Sequence, residues 1–359
     1  MIRIALTFSA MLLFLSSCQQ PMATESKLDK LFDSLFKKDE PGGAVLIAKD
    51  GKTIFSKGFG LADIKTKEGI TPATLFNVGS ISKTFVAFGI LKLADEGKLF
   101  LDDELYKYFP NFKDSTIPHK VKLKHMLTHT SGLPNLRKIN EDSVFYLTAK
   151  DEGNWEPVYQ ADSLEFEPGS RYTYSNIAFN GLALIIEKVS GMKWQEYIQK
   201  NIMKPAGMKI SVIQDGPYPE SGVSHAYWYD GKNYLEKDYG EEPTFPASGN
   251  GGVWSSVEEL WKYEQAVQRF VFLDRGWIKK SRTVFEHKNW SGSNPSELGL
   301  SWFMTNFENN KLIGHTGSQG GFRADYVWVP AKNVFYVILC NTPKDLYEVR
   351  KSVFKILEL

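Results

Sequence analysis

With 359 residues, 42% of them apolar and 24% charged, the chain has the make-up of an ordinary globular protein and enough length for a large core and roughly two domains. Disordered and collagen-like polypeptides are excluded. Forty-three basic residues against 42 acidic ones leave a formal charge of +1 with no basic block, so nucleic acid finds no electrostatic footprint here.

The first residues read as an export signal. Arg3 gives the positive start, Ile4–Leu15 the apolar stretch, and Leu15-Ser-Ser-Cys18 a small-residue cleavage site that ends on cysteine. That ending points to a lipoprotein signal over residues 1–17, with Cys18 lipidated and holding the chain to a membrane of a bacterial cell envelope, periplasm-facing or at the surface. The apolar stretch is short for a membrane span. Cleavage removes Arg3 and leaves a neutral chain, with residues 18–26 expected as a polar tether. Cys340 is then the lone cysteine and has no internal disulfide partner. Within Tyr336-Val-Ile-Leu-Cys-Asn341 it reads as a small core hydrophobe on a strand. An exported protein with no paired thiols raises no conflict with an oxidising compartment.

Residues 27–38 carry helical apolar spacing at Leu28, Leu31, Phe32, Leu35 and Phe36. A hairpin follows, "GAVLIA" and "TIFSKGFG" flanking the Asp50-Gly51 turn. From about 77 to 240 the pattern is helix and irregular loop. It includes a helix after Asn77-Val-Gly-Ser80 that ends at Gly97, a turn at His129-Thr-Ser-Gly-Leu-Pro134, and a helix from Asn176 with Gly191 as its C-cap. Ser256-Val-Glu-Glu259 reads as a capping box that opens another helix. The last third turns to strands, "KLIGHTG", "FRADYVWV" and "VFYVILCN", the latter two joined across Pro330-Ala-Lys-Asn333, and an amphipathic helix closes the chain. Strands at both ends with helices between predict an α+β (mixed α/β) fold. One antiparallel sheet is built from residues 27–76 and 245–359, flanked by helices, and a mostly helical domain, 77–244, is inserted with a cleft between the two.

Serine and lysine three apart occur four times, at Ser34/Lys37, Ser80/Lys83, Ser190/Lys193 and Ser352/Lys355. The spacing alone therefore says little. Only the 80/83 pair enters a helix that is apolar nearly all round, which implies burial. Near a helix start the two side chains share a face, a lysine kept from water can accept a proton, and the free N–H groups favour developing negative charge on the serine. The plain alternative is a cap at Ser80 and a snorkelling charge at Lys83. Two further motifs are each unique in the chain: Tyr174-Ser-Asn176, before the second apolar helix, and His315-Thr-Gly317, at the end of a strand. Taken singly, each has a structural explanation in packing or capping.

In this order, Ser-x-x-Lys, Tyr-x-Asn and His-Thr-Gly form the set that serine β-lactamases and penicillin-binding proteins use. The sequence resembles the family of class C β-lactamases, D,D-peptidases and related esterases over about residues 28–357. Further blocks in family order support this, among them "LFNVGSISKTF", "VKLKHMLTHTSGLPN", "FEPGSRYTYSNIAFNGLALIIEKVSGM" and "PASGNGGVWSSVEELWKY". The resemblance implies an acyl-enzyme mechanism. Ser80 is the nucleophile, Lys83 and Tyr174 share its proton traffic, and Tyr174 protonates the leaving group and then activates water. The backbone N–H groups of Ser80 and Ser318 form the oxyanion hole, within the strand His315-Thr316-Gly317-Ser318. Asn176 orients Lys83 or the substrate amide. Tyrosine, with a free pKa near 10, needs Lys83 beside it to stabilise a phenolate.

One departure bears on substrate. Many relatives have lysine where this chain has His315, and a histidine titrates near neutral pH rather than holding a permanent charge. Arg323 on the next strand is a candidate replacement cation, although a solvated strand residue fits as well. His125 and His129, four apart, lack the glutamate of a zinc motif, so no metal is expected and no cofactor is implied. Asp102-Asp103 reads as a structural cap. The tyrosine-rich segment 225–245 either walls the cleft or packs over the core. The chain is expected to be a monomeric serine hydrolase of the cell envelope acting on a small-molecule or peptide ester, amide or peptide bond, as a D,D-peptidase, D-aminopeptidase or esterase. The alternatives are a β-lactamase proper and a non-catalytic envelope binding protein of the same fold.

Overall fold

Two chain ends meet in one sheet. The computed structural model describes residues 19–134, 151–216, 218–236, 245–292 and 297–359. Strand β1 (Gly43–Lys49) pairs with β2 (Lys52–Phe59) as the Asp50-Gly51 turn requires, with Gly51 at φ 77. From the C-terminal third come β3 (Phe303–Phe307), β4 (Asn310–Gln319), β5 (Phe322–Val329) and β6 (Val334–Cys340). All neighbours are antiparallel, in the order β3-β4-β5-β6-β1-β2. The terminal halves are joined by β1 and β6, in register from Gly43 opposite Cys340 to Lys49 opposite Val334.

Both faces of this sheet are covered, which is why β6 is buried along its whole length. Side chains alternate across the pleat. Val45, Ile47, Tyr336 and Ile338 meet Leu28 and Phe32 of helix α1 (Gln19–Leu35) on one face. Ala44, Leu46, Val337 and Leu339 belong to the main core on the other. That core takes in α2 (Ser82–Asp95), α3 (Asn176–Ser190) and α4 (Val257–Gln268), with α2 packed on α3, and α4 on β1 and β6. The amphipathic closing helix α5 (Leu346–Ile356) covers the first face beside α1. Cys340 lies fully buried there and burial pushes its thiol up to about 12, as suits a core residue rather than a reactive one.

Several boundaries differ from the sequence reading. The stretch expected as a tether, 18–26, is helical from Gln19 onward, continuous with the helix that buries Leu28. The signal segment and Cys18 lie outside the described residues. Ser256 caps α4 by accepting from the Glu259 N–H, but the return arm of the capping box is not made. Glu259 turns instead to the N–H groups of Ile210 and Ser211, which satisfies a neighbouring loop. The sequence reading does not include strand β3: it is a sheet edge on which only Met304 is buried, so its apolar alternation is weak. The inserted region also contributes short strands, Val212–Ile213 pairing with Val253–Ser255 beside Phe76–Asn77. The helix ends were legible: Gly97 and Gly191 both sit at φ 70.

A buried ion pair ties α4 to the sheet. Arg282 donates to both carboxylate oxygens of Glu264 at 2.8 and 2.7 Å, its guanidinium lies 4.1 Å from the Trp302 ring centroid, and the Tyr326 hydroxyl donates to the same carboxylate. Removing one partner of such a pair leaves a desolvated charge. Arg282→Met is therefore expected to destabilise the fold by about 3–5 kcal/mol, read as a lowered urea midpoint; a loss under about 1 kcal/mol, the range of exposed pairs, would contradict it.

Candidate active site

Ser80 lies in a 3-10 turn, Gly79–Ile81, that runs straight into α2. Side chains three apart approach an eclipsed position at such a junction. Lys83 thus reaches back and its Nζ donates to the Ser80 hydroxyl at 3.0 Å, and also to the Asn250 carbonyl at 2.7 Å. It has no exposed surface. The other three pairs are different. The hydroxyls of Ser34 and Ser352 donate to carbonyls of their own helices, Ser190 bonds around Met192, and Lys37, Lys193 and Lys355 are exposed. Ser80 is no cap either: α2 follows Ile81, which makes no side-chain cap. Ser82 faces away from the Ser80–Lys83 contact and accepts from the Val253 N–H at 3.1 Å.

Two close backbone approaches position the serine. Gly79 adopts φ 52, and a Cβ there would meet the Ser318 nitrogen at 2.6 Å. At Gly317 a Cβ would lie 2.0 Å from the Val78 carbonyl oxygen. Only glycine lets the end of β4 press against the turn before Ser80. The backbone at Gly317-Ser318 thereby lies directly against the turn that carries Ser80. Asn250, whose carbonyl receives Lys83, sits in the glycine-rich run 249–252.

Tyr174 stands beside this pair, two residues ahead of α3. The Lys83 Nζ lies 5.0 Å from its ring centroid. Burial drives the phenol above its usual range, and a hydrogen bond with Ser80 pulls it back in part. Tyr174 is therefore protonated at rest. Ser175 is the N-cap of α3, accepting from the Ala178 N–H at 3.2 Å, so the cap role weighed for Asn176 belongs to its neighbour. Asn176 opens the helix and does not line the cavity described below.

His315 departs from the expectation of a group titrating near neutral pH. Its Nδ1 donates to the Thr316 carbonyl at 2.6 Å, and burial together with the Lys83 charge lowers it to about 3. It is a neutral imidazole. Arg323 carries the charge here: it donates to the Ser318 hydroxyl at 2.6 Å and to the Phe322 carbonyl, and lies 5.4 Å from the Trp228 ring centroid.

These groups face one cavity of about 530 Å³, lined by Ser80, Tyr174, His315, Thr316, Gly317, Ser318 and Arg323. Seven of the nine site residues expected from sequence meet there, and Lys83 lies behind Ser80. Sequence reasoning missed the remaining wall: Tyr172 and Phe303 on one side, and Lys344 to Tyr347 at the start of α5 on the other. Of the aromatic segment 225–245, Trp228 meets the cleft only through Arg323, Tyr227 is buried, and residues 237–244 lie outside the described residues. Asp102 and Asp103 are structural, as expected, bound to lysines and to the Phe100 N–H.

His125 and His129 do not converge on a common point. His125 sits against His287, while His129 stacks on Tyr174. Among the described residues Asp63, His225 and Glu236 are the one grouping with metal-like spacing. They are satisfied internally: His225 pairs with Glu236 at 2.7 Å, Asp63 accepts from the Tyr227 hydroxyl and the Lys65 N–H, and the Lys65 ammonium is 3.5 Å from Glu236.

Comparison with known proteins gives the family and the fold. The family model described as Beta-lactamase matches residues 27–356. The chain belongs to the Beta-lactamase family. Among curated relatives it is similar to penicillin-binding protein 4* of Bacillus subtilis (strain 168), 26% identical over 355 residues, 92% of this chain and 74% of that protein. It is also 28% identical to protein flp of Staphylococcus aureus (strain MW2) over 89% of this chain, and spans 63% of that protein's length. The octameric penicillin-binding protein homologue from Pyrococcus abyssi superposes with a TM-score of 0.77 at 28% identity, over 94% of this chain and 77% of that one. At 19% identity, D-amino acid amidase from Ochrobactrum anthropi SV3 shares the fold, with a TM-score of 0.76 over 94% of this chain and 97% of that one. As a Beta-lactamase family member the chain has the mixed α/β fold of these serine hydrolases, its antiparallel sheet flanked by helices.

The buried histidines of this family member give a signed pH dependence. Burial lowers His125 to about 3, His287 to about 4 and His315 to about 3, from 6.5. Below pH 6.5 the unfolded chain binds these protons first, so stability is lost as pH falls from 6.5 toward 4. Asp325, raised to about 6 by burial, works in the opposite sense between 6 and 3.8 and offsets one histidine. Unfolding free energy measured in urea is expected to fall by roughly 1.4 kcal/mol per pH unit for each uncompensated histidine, and His287→Gln should flatten the slope. A stability that stays level from pH 6.5 to 4.5 would refute the assignment.

Proposed function

We propose that this protein is a serine hydrolase that works through a Ser80 acyl-enzyme. The observation that carries the reading is a fully buried Lys83 ammonium 3.0 Å from the Ser80 hydroxyl at the base of a 530 Å³ cavity. In its neutral form Lys83 takes the Ser80 proton as the oxygen attacks an ester or amide carbonyl. The carbonyl oxygen becomes an oxyanion between the Ser80 and Ser318 amides. Tyr174 passes a proton to the leaving alcohol or amine. Water, giving a proton back to the same pair, then releases the acid and restores Ser80. Asn176, which opens α3 and lies off the cavity wall, is assigned to the Lys83 side rather than to the substrate amide. The family relationship supports the reaction class. The penicillin-binding relative supports a peptidase-like reading, with an esterase beside it, and His315, a neutral imidazole where many relatives have lysine, is the observation set against a β-lactamase proper. With the lipoprotein reading of Cys18, the enzyme would act at a cell-envelope membrane.

Purified protein labelled with a fluorescent penicillin and a fluorophosphonate, beside Ser80→Ala, separates catalysis from mere binding. A Ser80-dependent label from at least one probe is expected. The matching turnover panel is nitrocefin, short p-nitrophenyl esters and D-alanyl peptides. Silence from both probes would favour a binding protein of this fold. Arg323→Ala is expected to slow hydrolysis of anionic substrates by about tenfold or more, the worth of a charge-assisted hydrogen bond, while sparing neutral esters; equal losses on both would remove Arg323 from substrate recognition.

A further inference from the structure

His129 is fully buried and has a left-handed backbone, φ 54, which is uncommon outside glycine. That conformation lets one residue grip the segment leading into α3 in three ways. Its carbonyl accepts from the Thr173 N–H at 3.0 Å. Its Nδ1 accepts from the Ser175 N–H at 3.0 Å. Its ring stacks on Tyr174 with centroids 4.4 Å apart and planes at 26°. The two amides flanking Tyr174 are therefore held by the same residue that supports its ring. Phe179, 5.0 Å away, and Tyr172, perpendicular at 6.1 Å, close in around the imidazole.

We propose that His129 is the positioning residue for Tyr174, a neutral clamp that fixes the depth and tilt of the phenol beside Ser80 and exchanges no proton itself. This rests on the acyl-enzyme reading of Ser80 and Tyr174. Because Nδ1 accepts the Ser175 N–H, the ring proton must sit on Nε2. A second proton, on Nδ1, would break that bond and place a cation near Lys83. Burial, Lys83 and His315 hold the imidazole well below its usual range. The neighbouring ionisable groups, Lys83, His315, Tyr172 and Tyr174, include no carboxylate that would favour a charged ring.

Two variants separate the clamp's parts. His129→Phe keeps a stacking face and removes the acceptor. His129→Asn keeps an acceptor and tolerates the left-handed backbone, but removes the ring. With Tyr174→Phe, the double variant His129→Phe/Tyr174→Phe and Ser80→Ala as references, kcat and KM are measured on the best p-nitrophenyl ester, or the rate of fluorophosphonate labelling if none turns over. Circular dichroism and thermal midpoints check folding. His129→Phe is expected to lower kcat or the labelling rate by about 10- to 100-fold through misplacement of the phenol, with KM within about threefold. His129→Asn should recover part of that loss. No limb of the pH–rate profile should vanish, and the double variant should be no slower than Tyr174→Phe alone. Full activity in a folded His129→Phe, additive losses in the double variant, or a pH limb near 6 that disappears with the histidine would each overturn the clamp. Wild-type rates in both Ser80→Ala and Tyr174→Phe would instead overturn the acyl-enzyme reading beneath it.

Discussion

The Lys83 ammonium finds its oxygens on two parts of the chain, the Ser80 hydroxyl three residues back and the Asn250 carbonyl 167 residues on. Burying a cation costs several kcal/mol unless its hydrogen bonds are made. Much of the surrounding architecture serves to bring the second oxygen to it. The loop that carries Asn250 is held to the start of α2 by the Ser82 hydroxyl on the Val253 N–H, and by the Val78 N–H on the Val253 carbonyl. Gly249, at φ 91, fits against the Phe179 carbonyl, where any Cβ would come within 2.7 Å of that oxygen. The setting of Ser80 is therefore assembled from α2, α3, the loop before α4 and the end of β4.

The same cation reinforces the charge state that burial sets around it. It disfavours protonation of both His129 and His315, which burial already keeps neutral. Two imidazoles beside one ammonium remain uncharged, and the site has no excess positive charge of their making. On the proposed reading, positive charge for a substrate falls to Arg323, which rests on Trp228 and the Ser318 hydroxyl at the cavity wall. This separates the cation beside Ser80 from the cation at the cavity wall. A lysine at 315 would place both charges in the same buried space.

Much of this was legible in the sequence because it depends on pattern. The alternating strands at both ends, the Asp50-Gly51 turn, the glycine helix ends and the apolar faces of α2 and α3 are all local or periodic signals. The meeting of Ser80, Tyr174 and His315 followed from motif order and the resemblance it carried. What escaped notice depends on tertiary contact. No local rule says that the Asn250 carbonyl, rather than a side chain, receives Lys83, or that Glu259 leaves its own helix cap for Ile210 and Ser211. His129 was read as part of a turn because its left-handed backbone and its stack on Tyr174 become visible only when residues 45 apart meet. The ionisation of His315 was misjudged for the same reason: residue type gives a reference pKa, and burial decides the departure from it.

The protonation states also order the chemistry on the proposed reading. Tyr174 at rest is a phenol, since burial outweighs the help it receives from Ser80. A group held above its usual pKa gives up a proton poorly until an acceptor of greater demand forms beside it. It is thus unsuited to take the first proton from Ser80, and suited to supply one to a leaving alkoxide or amine as that charge develops. Lys83, aligned on the Ser80 hydroxyl from behind, is the group placed for the first transfer. Lys83 accepts that proton only from its neutral form and becomes an ammonium again; once Tyr174 has also given up its proton, the ammonium lies beside the phenolate it must stabilise. The two residues therefore divide the proton traffic by position and burial, and spacing in the sequence enters only because the 3-10 turn at Ser80 brings that spacing into contact.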